Sequence, residues 1–114
     1  MSQVTETPWG YYEVLLDTPY TKVKEITINP GQRLSYQYHH HRAEDWVAVV
    51  GDLTVILEDK ELLIPQGHSI NIPLGSKHRM WNKEDEPIKV IEVMTGDYFG
   101  EDDIVRLEDD YSRK

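Results

Sequence analysis

Cysteine is absent from the 114 residues, which excludes disulfides and thiolate metal ligands and leaves imidazole, carboxylate and amide groups to hold any ion. Positive charge is scarce: 12 Lys and Arg stand against 21 Asp and Glu, for a formal net charge of -9. A chain of that sign repels nucleic acid and anionic lipid, so neither is expected as a partner, and an anionic substrate needs a local basic pocket. Long hydrophobic runs are missing as well. The polar stretch 1–9 opens the chain, and no segment approaches the roughly 20 apolar residues that span a bilayer, so a soluble cytoplasmic protein is expected. Helical periodicity is nearly absent, as are internal repeats and linkers.

What remains is a β pattern. Short runs that alternate in hydrophobicity or are rich in β-branched residues recur, and turn residues separate them every ten positions or so. Strands are expected at 11–16, 21–28, 33–39, 45–50, 53–58, 61–64, 69–72, 78–81 and 88–95. Between them, Asn29-Pro30-Gly31, Gly51-Asp52, Glu58-Asp59-Lys60, Pro65-Gln66-Gly67 and Pro73-Leu74-Gly75 combine proline's fixed φ with residues that accept positive φ. Short hairpin connections follow. The length suits one domain covering 1–114, an all-β sandwich or barrel. The acidic run 100–110, built around Ile104, Val105 and Leu107, reads as a short surface-packed segment.

One strand carries unusual chemistry. Alternation puts Arg33, Ser35, Gln37, His39 and His41 on one face and Leu34, Tyr36, Tyr38 and His40 on the other. Turned into a barrel, the first set lines a cavity with an amide, imidazoles and a guanidinium; turned outward, 39–42 is a solvated basic loop. Glu44 follows after a short turn, and His78 begins a later strand behind a Pro-x-Gly turn. Gln37, His39, Glu44 and His78 can therefore meet as four donors.

Two spacings match the paired motifs of the cupin superfamily. The first runs Gly31, five residues, Gln37-x-His39, four residues, Glu44, six residues, Gly51; the second runs Gly67, five residues, Pro73-x-Gly75, two residues, His78, three residues, Asn82. They occupy 31–51 and 67–82, and the resemblance implies a single cupin domain, a double-stranded β-helix or jelly-roll barrel. It also implies one divalent ion on Gln37, His39, Glu44 and His78. Most cupins have His where this chain has Gln37, whereas the metal-binding strand of phosphomannose isomerases carries Gln-x-His. Pro8-Trp9-Gly10, the segments 29–35 and 39–46, and the segment 100–106 extend the likeness. Together they resemble the C-terminal isomerase domain of type II mannose-6-phosphate isomerase/mannose-1-phosphate guanylyltransferase, here expected as a stand-alone domain. The Gly-rich nucleotide-binding signature of the guanylyltransferase part is absent, so isomerase activity without guanylyltransferase activity is expected.

The implied reaction interconverts mannose 6-phosphate and fructose 6-phosphate through a cis-enediolate. An ion on three neutral ligands and one carboxylate keeps a net charge near +1 and suits Lewis-acid work; N and O donors admit Zn, Ni, Co, Mn or Fe. A proton carrier is also required. His41 is the first candidate by its face and titration range, Glu92 the second as a carboxylate in an apolar run, and Lys24 the third. Arg33 and Arg79 are the candidates for substrate phosphate, since the guanidinium fork pairs with phosphate oxygens; strict alternation turns Arg79 away from His78 unless a bulge re-aims it. Two other functions are compatible with a cupin metal site: an Fe-dependent dioxygenase and a non-catalytic sugar-binding protein. Exposed edge strands favour a homodimer.

Overall fold

The computed structural model describes residues 3–113; Met1, Ser2 and Lys114, the ends of the expected 1–114 domain, lie outside the described residues. The strands are β1 (Gln3–Thr7), β2 (Gly10–Asp17), β3 (Thr21–Ile28), β4 (Tyr36–Tyr38), β5 (Arg42–Val50), β6 (Leu53–Leu57), β7 (Lys60–Ile64), β8 (Ser69–Ile72), β9 (His78–Trp81), β10 (Ile88–Gly96) and β11 (Val105–Glu108). A six-stranded sheet is ordered β1-β2-β3-β10-β5-β8 and a five-stranded sheet β11-β4-β9-β6-β7. All pairings are antiparallel. The one helical piece among the described residues is a 3-10 turn at Glu101–Asp103.

The inner faces follow strand alternation, and their character changes along the barrel. In β5 the buried residues are Arg42, Glu44, Trp46 and Ala48; in β10 they are Ile88, Val90, Glu92 and Met94; in β3, Lys24, Ile26 and Ile28 point the same way. One end is thus closed by Ile28, Trp46, Ala48, Leu53, Val55, Met80, Ile88 and Val90, where burial of apolar side chains supplies the stability. The other end carries ionisable groups inside, and the site lies there.

Two strands were not expected from the sequence. The β1 segment QVTET is exposed at four of its five positions, so no buried face announces it, and full pairing with β2 from Gln3↔Val14 to Thr7↔Gly10 is what makes it a strand. The acidic segment likewise contains β11, which pairs with β4. In the other direction, the expected strand 33–39 shrinks to Tyr36–Tyr38, with Arg33 making an isolated bridge to Trp81. Alternation therefore does not extend to His41.

Two glycines fix the walls of the site. Gly75 has φ +80 in the turn that delivers His78, a conformation that disfavours side chains. At Gly96, φ is +156 and an added methyl would lie 2.2 Å from the His41 carbonyl oxygen, so the end of β10 packs directly against the chain leaving β4.

Candidate metal centre

Each member of the cluster is placed by its strand. Gln37 and His78 are cross-strand partners on β4 and β9, which puts their side chains side by side on one face. His39 follows β4, and Glu44 comes from β5 in the opposite sheet. His39, Glu44 and His78 are all buried, and their candidate ligand atoms lie within 4.8 Å of one another. His39 Nε2 is 3.1 Å from His78 Nε2 and 3.2 Å from Glu44 Oε2.

The far sides of both rings show which nitrogens are free. His39 Nδ1 lies 3.3 Å from the Asp103 carbonyl oxygen, and His78 Nδ1 lies 2.9 Å from that of Ser76. Carbonyls only accept, so in the neutral rings Nδ1 carries the proton and both Nε2 lone pairs face each other across 3.1 Å, beside a carboxylate. Burial pushes the His78 imidazole below its ordinary pKa, which favours that neutral form. The Arg42 guanidinium, 3.3 Å from His39 Nε2 and 2.9 Å from Glu44 Oε2, balances part of this negative potential, and the two imidazoles and the carboxylate form a donor set that a divalent ion fits. Gln37 is consistent with a fourth place: its Nε2 donates to Ser35 Oγ at 2.9 Å, which orients the amide.

Residues around the cluster hold it in place. Trp46 Nε1 donates to Glu44 Oε1 at 2.8 Å, and Arg42 Nε donates to Glu44 Oε2 at 2.9 Å. Burial opposes ionisation of Glu44, but its contacts with His39 and Glu92 and the positive charge of Arg42 outweigh it and hold the carboxyl well below its usual range. Glu92 goes the other way: burial, then the Glu44 charge, raise it well above the usual range. Two buried carboxyls that share a hydrogen bond do not both ionise readily. Lys24 is the cross-strand partner of Glu92 and stands 4.1 Å from the Tyr12 ring centre.

These groups line an open-mouthed cavity of about 90 Å³, whose wall also includes Thr7, Trp9, Leu34, Arg79, Glu101, Arg106 and Arg113. The structure brings Gln37, His39, Glu44, His78, Glu92, Lys24 and Arg79 to the cavity. It does not bring His41 or Arg33 there. The His41 side chain is 53% exposed beside Asp97, because the chain turns after Tyr38. Arg33 donates from Nε to Asp110 at 2.7 Å and reaches Glu108 at 3.4 Å, over the Trp81 ring. Arg79 reaches the wall but is occupied, with Nε on the Leu34 carbonyl at 2.8 Å and Nη1 on Glu108 at 2.6 Å.

Arg42, Asp103 and Arg106 were not foreseen. Arg42 carries a readable signal, since alternation counted back from Trp46 through Glu44 puts it inside. Asp103 is buried, and its carboxylate accepts from the His40 and His41 amides at 3.0 Å each; burial tends to raise its pKa, yet those two bonds leave it lowered. Nothing in an acidic run distinguishes that aspartate from its neighbours.

A family model described as mannose-6-phosphate isomerase C-terminal matches residues 1–109. The chain belongs to that family. Among curated relatives, alginate biosynthesis protein AlgA of Pseudomonas aeruginosa is 48% identical over 93% of this chain and 22% of its own length. Mannose-1-phosphate guanylyltransferase of Escherichia coli is 42% identical over 93% of this chain and again 22% of its own length. The chain thus spans less than a quarter of these relatives. The capsular polysaccharide assembling protein CapF of Staphylococcus aureus superposes with a TM-score of 0.82 at 19% identity, over 95% of this chain and 33% of that one. Bacillus subtilis oxalate decarboxylase, which has Mn(II) centres, gives 0.79 at 17% identity over 92% and 30%. These likenesses establish the cupin fold.

Proposed function

We propose that this chain is a metal-dependent mannose-6-phosphate isomerase, interconverting mannose 6-phosphate and fructose 6-phosphate. The observation that carries the reading is the convergence of His39, Glu44 and His78 within 4.8 Å at the wall of a cavity, in a chain of this family. Gln37, His39, Glu44 and His78 would hold one divalent ion of Zn, Ni, Co, Mn or Fe. When bound, it supplies Lewis-acid polarisation of the substrate oxygens at C1 and C2. Glu92 is the proton carrier of this reading: it lines the cavity, burial and the Glu44 charge raise its pKa above the usual carboxyl range, and the transfer between C1 and C2 of a cis-enediolate needs one positioned acid-base group. Arg42 and Trp46 each donate to one oxygen of Glu44 and fix the orientation of its carboxylate. His41 and Arg33, both outside the cavity, take no part. The reading gives the chain a place in cytoplasmic sugar-phosphate chemistry and, through its edge strands, a homodimeric assembly.

The test is a coupled assay on protein stripped of metal and reloaded ion by ion. Mannose 6-phosphate turnover that requires the ion supports the reading, while tight sugar-phosphate binding with no turnover in any metal form sinks it. In parallel, His39→Ala is expected to lose the ion, measured by elemental analysis after gel filtration, and to lose turnover with it. An active, metal-free variant would contradict the assignment.

A further inference from the structure

The cations lining the cavity are Lys24, Arg42, Arg79, Arg106 and Arg113. Three have carboxylate partners: Arg42 with Glu44 at 2.9 Å, Arg79 with Glu108 at 2.6 Å and Arg113 with Asp109 at 2.8 Å. Lys24 faces the Tyr12 ring and Glu92. Arg106 is different, because its Nε is buried without a hydrogen-bond partner and no carboxylate among the described residues pairs with it. Thr7 Oγ1, on the same cavity wall, is also buried without a partner. These are the two such side-chain atoms among the described residues, and leaving a buried donor unsatisfied is unfavourable. An incoming group with several acceptor oxygens supplies what the fold withholds.

We propose that Arg106 and Thr7 form the subsite for the phosphate group of a phosphorylated sugar, a proposal that rests on the isomerase reading for the identity of the sugar. The register supports it independently. Arg106 is the cross-strand partner of Gln37, and Gln37 is the partner of His78, so one row runs Arg106, Gln37, His78 across β11, β4 and β9. Neighbouring strands lie about 4.8 Å apart, which sets Arg106 roughly 10 Å from His78. That separation suits a six-carbon chain whose reacting end lies at the metal ligands and whose terminal phosphate lies at the guanidinium. Arg offers phosphate a planar fork, and the Thr hydroxyl donates as a third group. The exposed Glu101 also lines the cavity, and solvent at the mouth screens its charge.

The experiment is calorimetric titration of the full chain with inorganic phosphate, mannose 6-phosphate and mannose, for wild type, Arg106→Gln, Arg106→Lys, Thr7→Val and the exposed control Lys83→Gln. Arg106→Gln is expected to weaken both phosphorylated ligands roughly tenfold or more and leave mannose unchanged. Arg106→Lys, which keeps charge and bulk, recovers part of the loss, Thr7→Val gives a smaller loss, and the control matches wild type. Thermal melts establish that each variant is folded, and Arg106→Lys carries the comparison if the Gln variant is not. Phosphate affinity unchanged in both Arg106 variants, or no phosphate binding by wild type, overturns the subsite even if the chain isomerises mannose 6-phosphate. Conversely, loss of phosphate binding in a chain without turnover supports the subsite and removes the isomerase.

Discussion

Gln37 and Glu92 come from opposite sheets and show what single residues contribute. Gln37 was legible because its spacing to His39 and Glu44 is a linear pattern. Glu92 was legible as an anomaly, a carboxylate in the run Lys89-Val90-Ile91-Glu92-Val93, but its neighbours were not. Only the register Glu92↔Lys24 and Glu92↔Trp46 sets it between a lysine and the strand that carries Glu44. His41 lies away from the cavity wall because the expected period of two was carried past the end of a three-residue strand. If Glu92 moves the proton, Glu92→Gln keeps its shape and removes its chemistry. The variant is expected to lower kcat by about 10² or more, with little change in KM and a melting temperature no lower than wild type, since a second buried carboxyl beside Glu44 is removed. Turnover and melting, with exchange of the C2 proton into deuterated solvent, read these effects separately. A variant with wild-type kcat and exchange assigns the proton transfer elsewhere.

At the scale of elements, strands with a buried face were readable and the two held by pairing alone were not. Strands β3, β5, β6 and β10 announce themselves through alternating or continuous apolar positions. β11 reads VRLE, with one acidic residue of its own, and the carboxylates at its end find their purpose in arginines that sequence alone does not pair with them. Glu108 meets Arg79 of β9 and Asp110 meets Arg33 ahead of β4, so these two pairs tether the end of the segment that bears Arg106, while Asp109 meets Arg113 four residues further on. The hydrogen bond and charge of Arg79 hold Glu108 below its ordinary 4.5, and those of Arg33 hold Asp110 below its ordinary 3.8. A carboxyl lowered by folding contributes fully above its unfolded pKa and loses that contribution as pH falls through the lower folded value. Partly exposed pairs of this kind are worth about 0–1 kcal/mol each, too little to unfold the barrel but enough to loosen a four-residue strand. Hydrogen exchange is therefore expected to show β11 amides losing protection below about pH 4 while β3 and β10 remain protected. Simultaneous loss across all three strands would mean that these pairs do not set the strand's local stability.

For the whole molecule, closure of the barrel leaves β1 and β8 as the edges of one sheet and β11 and β7 as the edges of the other. An edge strand offers unpaired backbone groups, and proteins either blunt such an edge or use it. The β1 edge is not blunted by lysine or proline within Gln3–Thr7. At the same end of the sheet, Val4, Leu15 and Leu16 are 55%, 50% and 48% exposed, a grouping of large apolar side chains that lone exposure on a charged surface does not explain. A stable pair needs about 800 Å² from each partner, a modest share of the 6159 Å² the chain exposes. The net charge of -9 opposes association of two copies at long range, and salt screens it, so an apolar seam must supply the attraction. Light scattering after gel filtration is expected to give twice the chain mass, with the dimer strengthened by added salt. Val4→Lys combined with Leu16→Lys should yield a folded monomer, because it adds charge to the seam without touching the buried core. A wild-type monomer at all concentrations would remove the dimer altogether, whereas a dimer indifferent to both lysines would remove β1 as the seam and leave the exposed Leu62 and Leu63 of β7 as the apolar edge to examine by lysine substitution in the same way.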